Sequence, residues 1–223
     1  MKKFLLSLIL ISVVTSCSNT PELETGEIKI FAMFEQAVRE SNQPQQFIDA
    51  RLLLNRKQID EAKVPVLFAE LPSGQNGTLT LYPSQGVGQT WLGADGATLT
   101  LQMGVLKASR GMGDDLMGST SSMPVWSKIK NKKQMYSRTL NYMTGNNKIS
   151  KRIFNCYIQK INKNELIEVW AIEFNVATFK ENCQSKGQNF ENSYYVDTQG
   201  IVRRSTQYHS DTIGYILIER LDR

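Results

Sequence analysis

The one histidine of the chain, His209, limits what nucleophilic catalysis this sequence can support. A serine hydrolase needs a hydroxyl within hydrogen-bond reach of a histidine base. The adjacent Ser210 points to the opposite face if this segment is a strand, so the required bond is not expected. A single histidine also excludes a zinc site built from the usual cysteine and histidine ligands. We therefore predict no catalytic triad, no metal and no cofactor.

Carboxylates are the other groups that could act without a cofactor. Two acids from distant strands can flank a sugar bond, so a carboxylate-based polysaccharide hydrolase stays open as an alternative, although no spacing selects a pair. Asp114 and Asp115 lie in a glycine-rich segment, residues 109–118, which lacks the Gly-Lys-Ser/Thr ending of a phosphate loop. We predict a glycine bend in which Asp114 caps a short helical turn at residues 114–117 and Asp115 is solvated.

Aromatic residues interleaved with arginine and glutamine form the third candidate site. Aromatic rings stack on the apolar faces of sugars, while amide and guanidinium groups bind hydroxyls, so the mixture suits a glycan or partner surface. Aromatic residues in strands usually belong to the core, and this interpretation stays open beside the first. The predicted surface comprises Trp91, Arg110, Asp114, Asp115, Tyr194, Tyr195, Arg204, Gln207 and Tyr208.

The elements that must position these residues are mainly strands, because apolar and polar residues alternate along much of the chain. The apolar rows are Leu79 and Leu81; Leu99, Leu101, Met103 and Val105; Phe154, Cys156 and Ile158; Trp170, Ile172, Phe174 and Val176; and Ile213, Tyr215 and Leu217. Turn chemistry separates the strands at Asp95-Gly96, residues 145–147 and residues 197–200.

Short helices are expected only near the start of the domain. Residues 31–38 have helical spacing and end at residues 41–44, and Asn55 with Gln58 forms a variant capping box for a helix that ends before Val64-Pro65. The predicted fold class is therefore mainly β. An antiparallel sheet of this extent must curl into a barrel or stack as a sandwich to hide its edges, and the sequence does not choose between them.

The N-terminus carries an export pattern. Lys2 and Lys3 precede an apolar run at residues 4–14, which is too short to cross a bilayer and typical of a signal peptide. The following Val14-Thr15-Ser16-Cys17 resembles a lipobox. We predict a signal peptide at residues 1–16, an acylated Cys17 that anchors the chain to a membrane, a tether over residues 17–27, and a single β domain over residues 28–223. Ser18 after Cys17 resembles the outer-membrane sorting pattern.

The cysteine content predicts a disulfide, and the charge content limits the class of ligand. With Cys17 acylated, the other cysteines, Cys156 and Cys183, are exported to an oxidising compartment, so a disulfide is predicted. The formal charge is only +5 and the basic residues are scattered, which excludes a nucleic-acid footprint. The one basic cluster, over residues 128–133, is interpreted as a solvated loop that could still meet acidic polysaccharide or lipid headgroups.

A family resemblance covers most of the mature domain. It rests on residues 55–65; on Trp91, residues 94–96, 104–106 and 110–117; and on Cys183, Phe190, Asn192, residues 194–197, 200–201, 204–205, 207–208 and 214–215. In these blocks the chain resembles the YjbF/GfcB family of lipoproteins associated with group 4 capsule and exopolysaccharide. The sequence departs from that pattern at Ser109, Tyr195, Tyr208 and Ser210-Asp211, where the family often has threonine, tryptophan, tryptophan and Gly-Pro.

The resemblance implies an accessory role. It suggests a periplasm-facing outer-membrane lipoprotein that assists the assembly or export of surface polysaccharide by binding the glycan, outer-membrane export proteins, or both, without catalytic residues. The alternatives are the carboxylate-based hydrolase and an envelope lipid-binding carrier. A dry apolar cavity would favour the carrier, and carboxylates across an open groove would favour the enzyme.

Overall fold

The computed structural model describes residues 49–84, 86, 88–143 and 148–223. The predicted signal peptide, Cys17, the tether, the helix at residues 31–38 and the turn at residues 145–147 lie outside the described residues. Two short helices come first, α1 (Ala50–Leu53) and α2 (Arg56–Ala62). The predicted capping box of α2 is confirmed, because the Asn55 side chain accepts from the Gln58 amide and the Gln58 side chain accepts from the Asn55 amide.

The alternating segments form twelve strands of one antiparallel sheet, which confirms the predicted fold class. The strands are β1 (Val66–Glu70), β2 (Asn76–Tyr82), β3 (Gln89–Gly93), β4 (Thr98–Gln102), β5 (Val105–Arg110), β6 (Leu116–Ser121), β7 (Gln134–Met143), β8 (Ile149–Val169), β9 (Ile172–Ser185), β10 (Gln188–Asp197), β11 (Val202–Ser210) and β12 (Gly214–Arg220). A 3-10 helix, Trp126–Lys128, connects β6 to β7.

The sheet nearly closes into a barrel, which decides between the two predicted architectures. Its strand order is β5-β4-β3-β2-β1-β12-β11-β10-β9-β8-β7-β6, so β5 and β6 are the two edges. Side chains bridge this seam: the Leu116 amide donates to Ser109 Oγ at 2.9 Å, and Arg110 Nη1 donates to the Leu116 carbonyl at 3.0 Å. These bonds satisfy edge groups that would otherwise be open to pairing with another chain.

Apolar side chains fill the interior of the barrel and also cover part of its outer face. Leu67 belongs to the largest interior cluster, whereas its neighbours Val66 and Phe68 point the other way and pack beneath α1 and α2. At one end, Trp126 closes the interior by packing on Phe179 and Tyr194, with ring centroids 5.2 and 5.0 Å apart. In the described part of the chain, no helix is long and apolar enough to cross a bilayer.

Four local predictions were wrong. Ile213 lies in the turn before β12 and not in a strand row with Tyr215 and Leu217. Residues 114–117 do not form a helical turn, because Leu116 and Met117 begin β6. Met103 is not a strand residue in a row with Val105: it has a positive φ of 51° and turns β4 into β5 with Gly104. Trp170 likewise leaves its predicted row with Ile172 and forms the turn between β8 and β9. The turns at Met103 and Trp170 each carry an apolar residue at a position where asparagine or glycine is the usual sequence signal for a turn.

Candidate functional site

The predicted aromatic surface is dispersed by the fold. Trp91 and Tyr194 are 1% and 0% exposed, so both belong to the core and neither can present its ring to a ligand at the surface. Gln207 is also buried: its Oε1 accepts from the Leu106 amide and its Nε2 donates to the Gly104 carbonyl, both at 2.8 Å. For these three residues the core interpretation replaces the surface one.

The buried hydroxyl of Tyr194 belongs to a polar network inside the barrel. It donates to Glu181 Oε2 at 2.7 Å, and Asn192 donates to the same oxygen at 2.8 Å. Arg138 Nη2 lies 2.9 Å from Oε1 of Glu181, and Tyr136 donates to that oxygen. Burial, followed by the charge of Glu181, raises the pKa of Tyr194 well above its usual value. The network is enclosed and structural, because the charges of Arg138 and Glu181 are paired and the Glu181 carboxylate accepts from Tyr136, Asn192 and Tyr194, while Nε and Nη2 of Arg138 make no hydrogen bond to the described residues.

Arg110, Asp114 and Asp115 lie at the seam between β5 and β6. Arg110 donates to carbonyls of residues 109, 116 and 117, so its guanidinium group holds the two edge strands together. Asp115, rather than Asp114, caps the intervening loop, since its two carboxylate oxygens accept from the amides of Gly111 and Met112 at 3.0 Å. Asp114 is half-buried in the same loop. Arg110 and Asp115 therefore help to close the barrel between β5 and β6.

Tyr208 lies at the opposite end of β11 from Arg204, and its ring packs against two other aromatic rings. Phe190 stacks on it with 4.6 Å between centroids, and Tyr215 packs edge-on at 5.7 Å. Its hydroxyl donates to Asp211 Oδ1 at 2.6 Å, and Arg152 pairs with the same carboxylate. Burial and the bond to Asp211 raise the pKa of Tyr208. The ring is a packing element, and only its polar edge faces outward.

A serine does approach the single histidine, although it is not the neighbouring Ser210. Ser109 Oγ lies 2.7 Å from Nε2 of His209, and both residues are almost completely buried. Among the described residues, Nδ1 of His209 has no hydrogen-bond partner, so no carboxylate orients the ring as a triad requires. Ser109 also accepts from the Leu116 amide. The pair therefore joins strands β5, β6 and β11.

The predicted residues that do meet on the outer surface are Tyr195 and Arg204. They are direct cross-strand partners on β10 and β11, and Arg204 in turn lies opposite Glu219 on β12. Arg204 Nε donates to Glu219 Oε1 at 2.7 Å, and Arg204 Nη2 donates to the Glu168 carbonyl at 2.6 Å. Phe68 on β1 continues this row beyond Glu219. Cross-strand neighbours on one face thus form a lateral band of aromatic and charged side chains.

Trp170 folds over this band from the tip of the β8–β9 hairpin. Its Nε1 donates to Glu219 Oε2 at 3.2 Å, and its ring lies 5.5 Å from that of Phe68. Trp170 and Ala171 form the two-residue turn with φ values of 47° and 62°. A left-handed conformation costs about 1–2 kcal/mol for a residue with a Cβ, and non-glycine residues held there concentrate at functional sites.

An open groove of about 720 Å³ lies between this band and the first helices. Trp170, Arg204 and Glu219 line it together with two further arginines, Arg51 and Arg56. Glu70 fixes Arg51 through a 2.7 Å ion pair. The remaining lining residues are Leu54, Asn55, Glu168, Ala171 and Leu217. The groove thus combines a half-buried indole with guanidinium, carboxylate and amide groups, which is the chemistry that binds sugar rings and hydroxyls.

The arginines of the groove are held in place before any ligand arrives. Arg56 donates to the Leu221 carbonyl and to Asp60, each at 2.6 Å. Arg51 lies over the Phe68 ring, 4.1 Å from its centroid. Burial lowers the pKa of Arg51, but the hydrogen bond and charge of Glu70 raise it by more, so the net shift is upward. Arg51 therefore stays cationic at physiological pH.

The two remaining cysteines are joined, as predicted. Cys156 on β8 and Cys183 on β9 are opposite each other, with Cα atoms 4.0 Å apart and a bond between their sulfurs. Glu181 lies close enough for the three side chains to resemble a metal-ligand set. The donor set does not fit a metal, because disulfide sulfurs are not thiolates and Glu181 is occupied by Arg138.

Sequence reasoning missed Trp170, Arg51, Arg56 and Glu219 as neighbours of Arg204. Trp170 lies in Val-Trp-Ala-Ile, which has no turn residue, so the period of two placed it inside a strand. Arg51 and Arg56 come from the helical segment and meet β11 only through long-range packing. No local signal in the sequence indicates that these arginines lie near β11.

Comparison with known proteins is consistent with this fold. The family model described as "Group 4 capsule polysaccharide lipoprotein gfcB, YjbF" matches residues 31–221. The crystal structure of a hypothetical lipoprotein, YmcC from Escherichia coli K12, superposes with a TM-score of 0.70 over 91% of this chain and 98% of the other, at 16% identity. That likeness concerns the fold alone. No curated protein sequence matches. The match over residues 31–221 covers most of the chain, which therefore belongs to the YjbF family of group 4 capsule polysaccharide lipoproteins.

Proposed function

We propose that this chain is a noncatalytic accessory lipoprotein that assists the assembly or export of capsule or exopolysaccharide and contacts the polymer in the groove around Trp170 and Arg204. Family membership supports the link to capsule polysaccharide. The single observation that supports polymer binding in this groove is the position of the Glu219 carboxylate. One oxygen holds the Trp170 indole and the other holds the Arg204 guanidinium, at the edge of an open groove.

This arrangement is suited to binding. The indole ring is a platform for a sugar face, and its orientation is set by a hydrogen bond rather than by the ligand. Preorganised groups lose little conformational entropy when a ligand binds, so they bind more tightly than mobile ones. The hairpin turn itself requires positive φ, but it holds tryptophan where glycine or asparagine is usual, which supports the same interpretation.

The groove is less suited to hydrolysis. Two carboxylates of the described chain line it, Glu168 and Glu219, but both oxygens of Glu219 already accept hydrogen bonds and its side chain is 5% exposed, so Glu219 is poorly placed to act as the second acid of a pair. Within the described residues, the barrel interior is filled by apolar side chains and the Glu181 network. That packing disfavours the lipid-carrier alternative, which needs a dry cavity.

The proposed location is the periplasmic side of the outer membrane, with the chain held by acyl groups on Cys17. The partners that we propose are the polysaccharide and outer-membrane proteins that export it.

The experiment is complementation of a strain that lacks the gene. Trp170→Gly removes the ring at a position where glycine adopts the observed φ without strain, and Ala171→Gly is the matched control in the same turn. We expect Trp170→Gly to reduce surface polysaccharide at normal protein abundance and Ala171→Gly to leave it unchanged. Equal amounts of surface polysaccharide in the two variants would refute the proposal that the groove contacts the polymer. Shortened polymer after incubation with purified wild-type protein would favour the hydrolase.

A further inference from the structure

The segment from residue 116 to residue 164 contains no aspartate or glutamate. It carries ten basic residues: Lys128, Lys130, Lys132, Lys133, Arg138, Lys148, Lys151, Arg152, Lys160 and Lys163. This segment forms β6, β7 and most of β8, which make up one side of the barrel. Arg138 lies inside the barrel and is paired with Glu181, and Arg152 is paired with Asp211, so the positive charge of this side comes from the eight lysines.

The outer face of β7 and β8 also exposes aliphatic side chains. Met135, Met143, Ile149 and Ile153 are between 46% and 70% exposed. The register places Met143 opposite Ile149, with Ile153 four residue pairs further along on the same face and Met135 opposite Tyr157 beyond it. Outward-facing positions of an antiparallel sheet are normally polar, and contiguous exposed apolar residues mark interaction sites. We call this set, with the lysines between and around it, the β7–β8 face.

Lysines are interleaved with these apolar residues. Lys151 points outward between Ile149 and Ile153, and Lys133 lies over the Tyr157 ring, 4.2 Å from its centroid. Glu191 of β10, two strands away from β8, is paired with Lys180 at 2.5 Å. The alternation of aliphatic and cationic side chains on one surface is typical of proteins that lie at a lipid interface.

We infer that the β7–β8 face docks on the surface of a membrane that contains anionic lipid. Met and Ile side chains enter the boundary between headgroups and acyl chains, to a depth of about 5 to 10 Å, while the lysines extend to the phosphates. A second copy of the chain is a poorer occupant, because it would bring like charges together. A glycan is poorer too, since the exposed residues are aliphatic and the one aromatic ring nearby is covered by Lys133.

This docking would orient the groove. The sheet order places β1, which carries Phe68 of the band, six strands from β7 on either path around the barrel, and β12, which carries Glu219 of the groove, five strands from β7 by one path and seven by the other. With the β7–β8 face on the membrane, the groove faces away from it toward the aqueous side. The inference stands without the proposed function, because it depends only on charge and exposure on the other side of the molecule.

The test uses the protein purified from membranes with its natural N-terminus and reconstituted in vesicles. A nitroxide is attached at Ile153→Cys, and the control label is attached at Lys57→Cys on α2, where the side chain is 83% exposed. Mass spectrometry verifies one label per chain. The measured quantity is the accessibility of each nitroxide to oxygen, which concentrates in lipid, relative to a water-soluble nickel complex.

In vesicles of mixed phosphatidylglycerol and phosphatidylcholine, we expect the oxygen-to-nickel ratio to rise several-fold at position 153 and to stay aqueous at position 57. The double variant Lys133→Glu with Lys151→Glu is expected to weaken docking about 30-fold or more and to abolish the rise. Equal, aqueous ratios at both positions would overturn the inference. So would protection of position 153 without vesicles, which would indicate a protein surface, or an equal rise in vesicles of phosphatidylcholine alone.

Discussion

Arg138 and Glu181 form an ion pair inside the barrel, with Nη2 and Oε1 2.9 Å apart and with side chains that are 3% and 0% exposed. Removing one partner leaves the other charge buried and unpaired, which costs about 3–5 kcal/mol. Arg138→Met is therefore expected to lower the free energy of unfolding by that amount. Urea denaturation of the purified variant measures it.

The matched control for this prediction is Arg152→Met. Arg152 pairs with Asp211 at 2.6 Å, but its side chain is 36% exposed and that of Asp211 is 60% exposed. Solvent screens such a pair, so the loss is expected to be about 0–1 kcal/mol. Similar losses in the two variants would contradict the assignment of Arg138 to a buried structural network.

His209 predicts how stability depends on pH. Burial lowers the pKa of His209 below its ordinary value of 6.5, against the opposing charges of Asp114 and Asp115. The folded state therefore keeps the ring neutral, while the unfolded chain binds a proton as the pH falls through 6.5. The stabilising contribution is present above that pH and is lost progressively below it.

The measurement is the urea midpoint between about pH 7.5 and pH 5, a range in which histidine is the side chain that ordinarily titrates. With one histidine in the chain, His209→Gln should flatten this part of the profile. A variant that retains the full wild-type slope would show that His209 is not the group responsible.

Reduction of the bond between Cys156 and Cys183 is expected to destabilise the protein. The bond closes a loop with a sequence separation of 27, which corresponds to about 3–4 kcal/mol in the chain-entropy model. Thermal unfolding of the wild type with and without reductant measures the loss. The control is the double variant Cys156→Ala with Cys183→Ala, whose melting temperature should be low and indifferent to reductant.

A substitution at Lys63 is expected to stabilise the protein. It ends α2 in the left-handed region, with φ of 57°, where glycine is the preferred residue. Lys63→Gly is expected to raise the free energy of unfolding by up to about 1 kcal/mol. Lys57→Gly, in the first turn of the same helix, should lower it by up to about 1 kcal/mol. Destabilisation by both changes would contradict the assigned helix end.

Local patterns in the sequence predicted much of the fold. The alternation of apolar and polar residues reports burial directly, so it located strands such as β4 and the row Phe154, Cys156 and Ile158. The capping box at Asn55 was readable because it involves two side chains within one turn. The pairing of Cys156 with Cys183 followed from elimination and compartment.

The candidate site could not be predicted in the same way. Trp170 occupies a turn without turn chemistry, so periodicity assigned it to a strand. The contact between Arg204 and Glu219 depends on strand register, and that between Ser109 and His209 on closure of the barrel. Such long-range relationships are set by the whole sheet. Composition also cannot tell a core aromatic residue such as Trp91 from an exposed one.

The central claim is that the groove binds the polymer, and its most direct measurement is titration of purified capsule polysaccharide into the purified protein by calorimetry. We expect wild type and Ala171→Gly to bind alike and Trp170→Gly to bind at least about tenfold more weakly, a loss of about 1.4 kcal/mol, with an unchanged melting temperature. Equal affinity of Trp170→Gly and the wild type, or no binding by the folded wild-type protein, would contradict it.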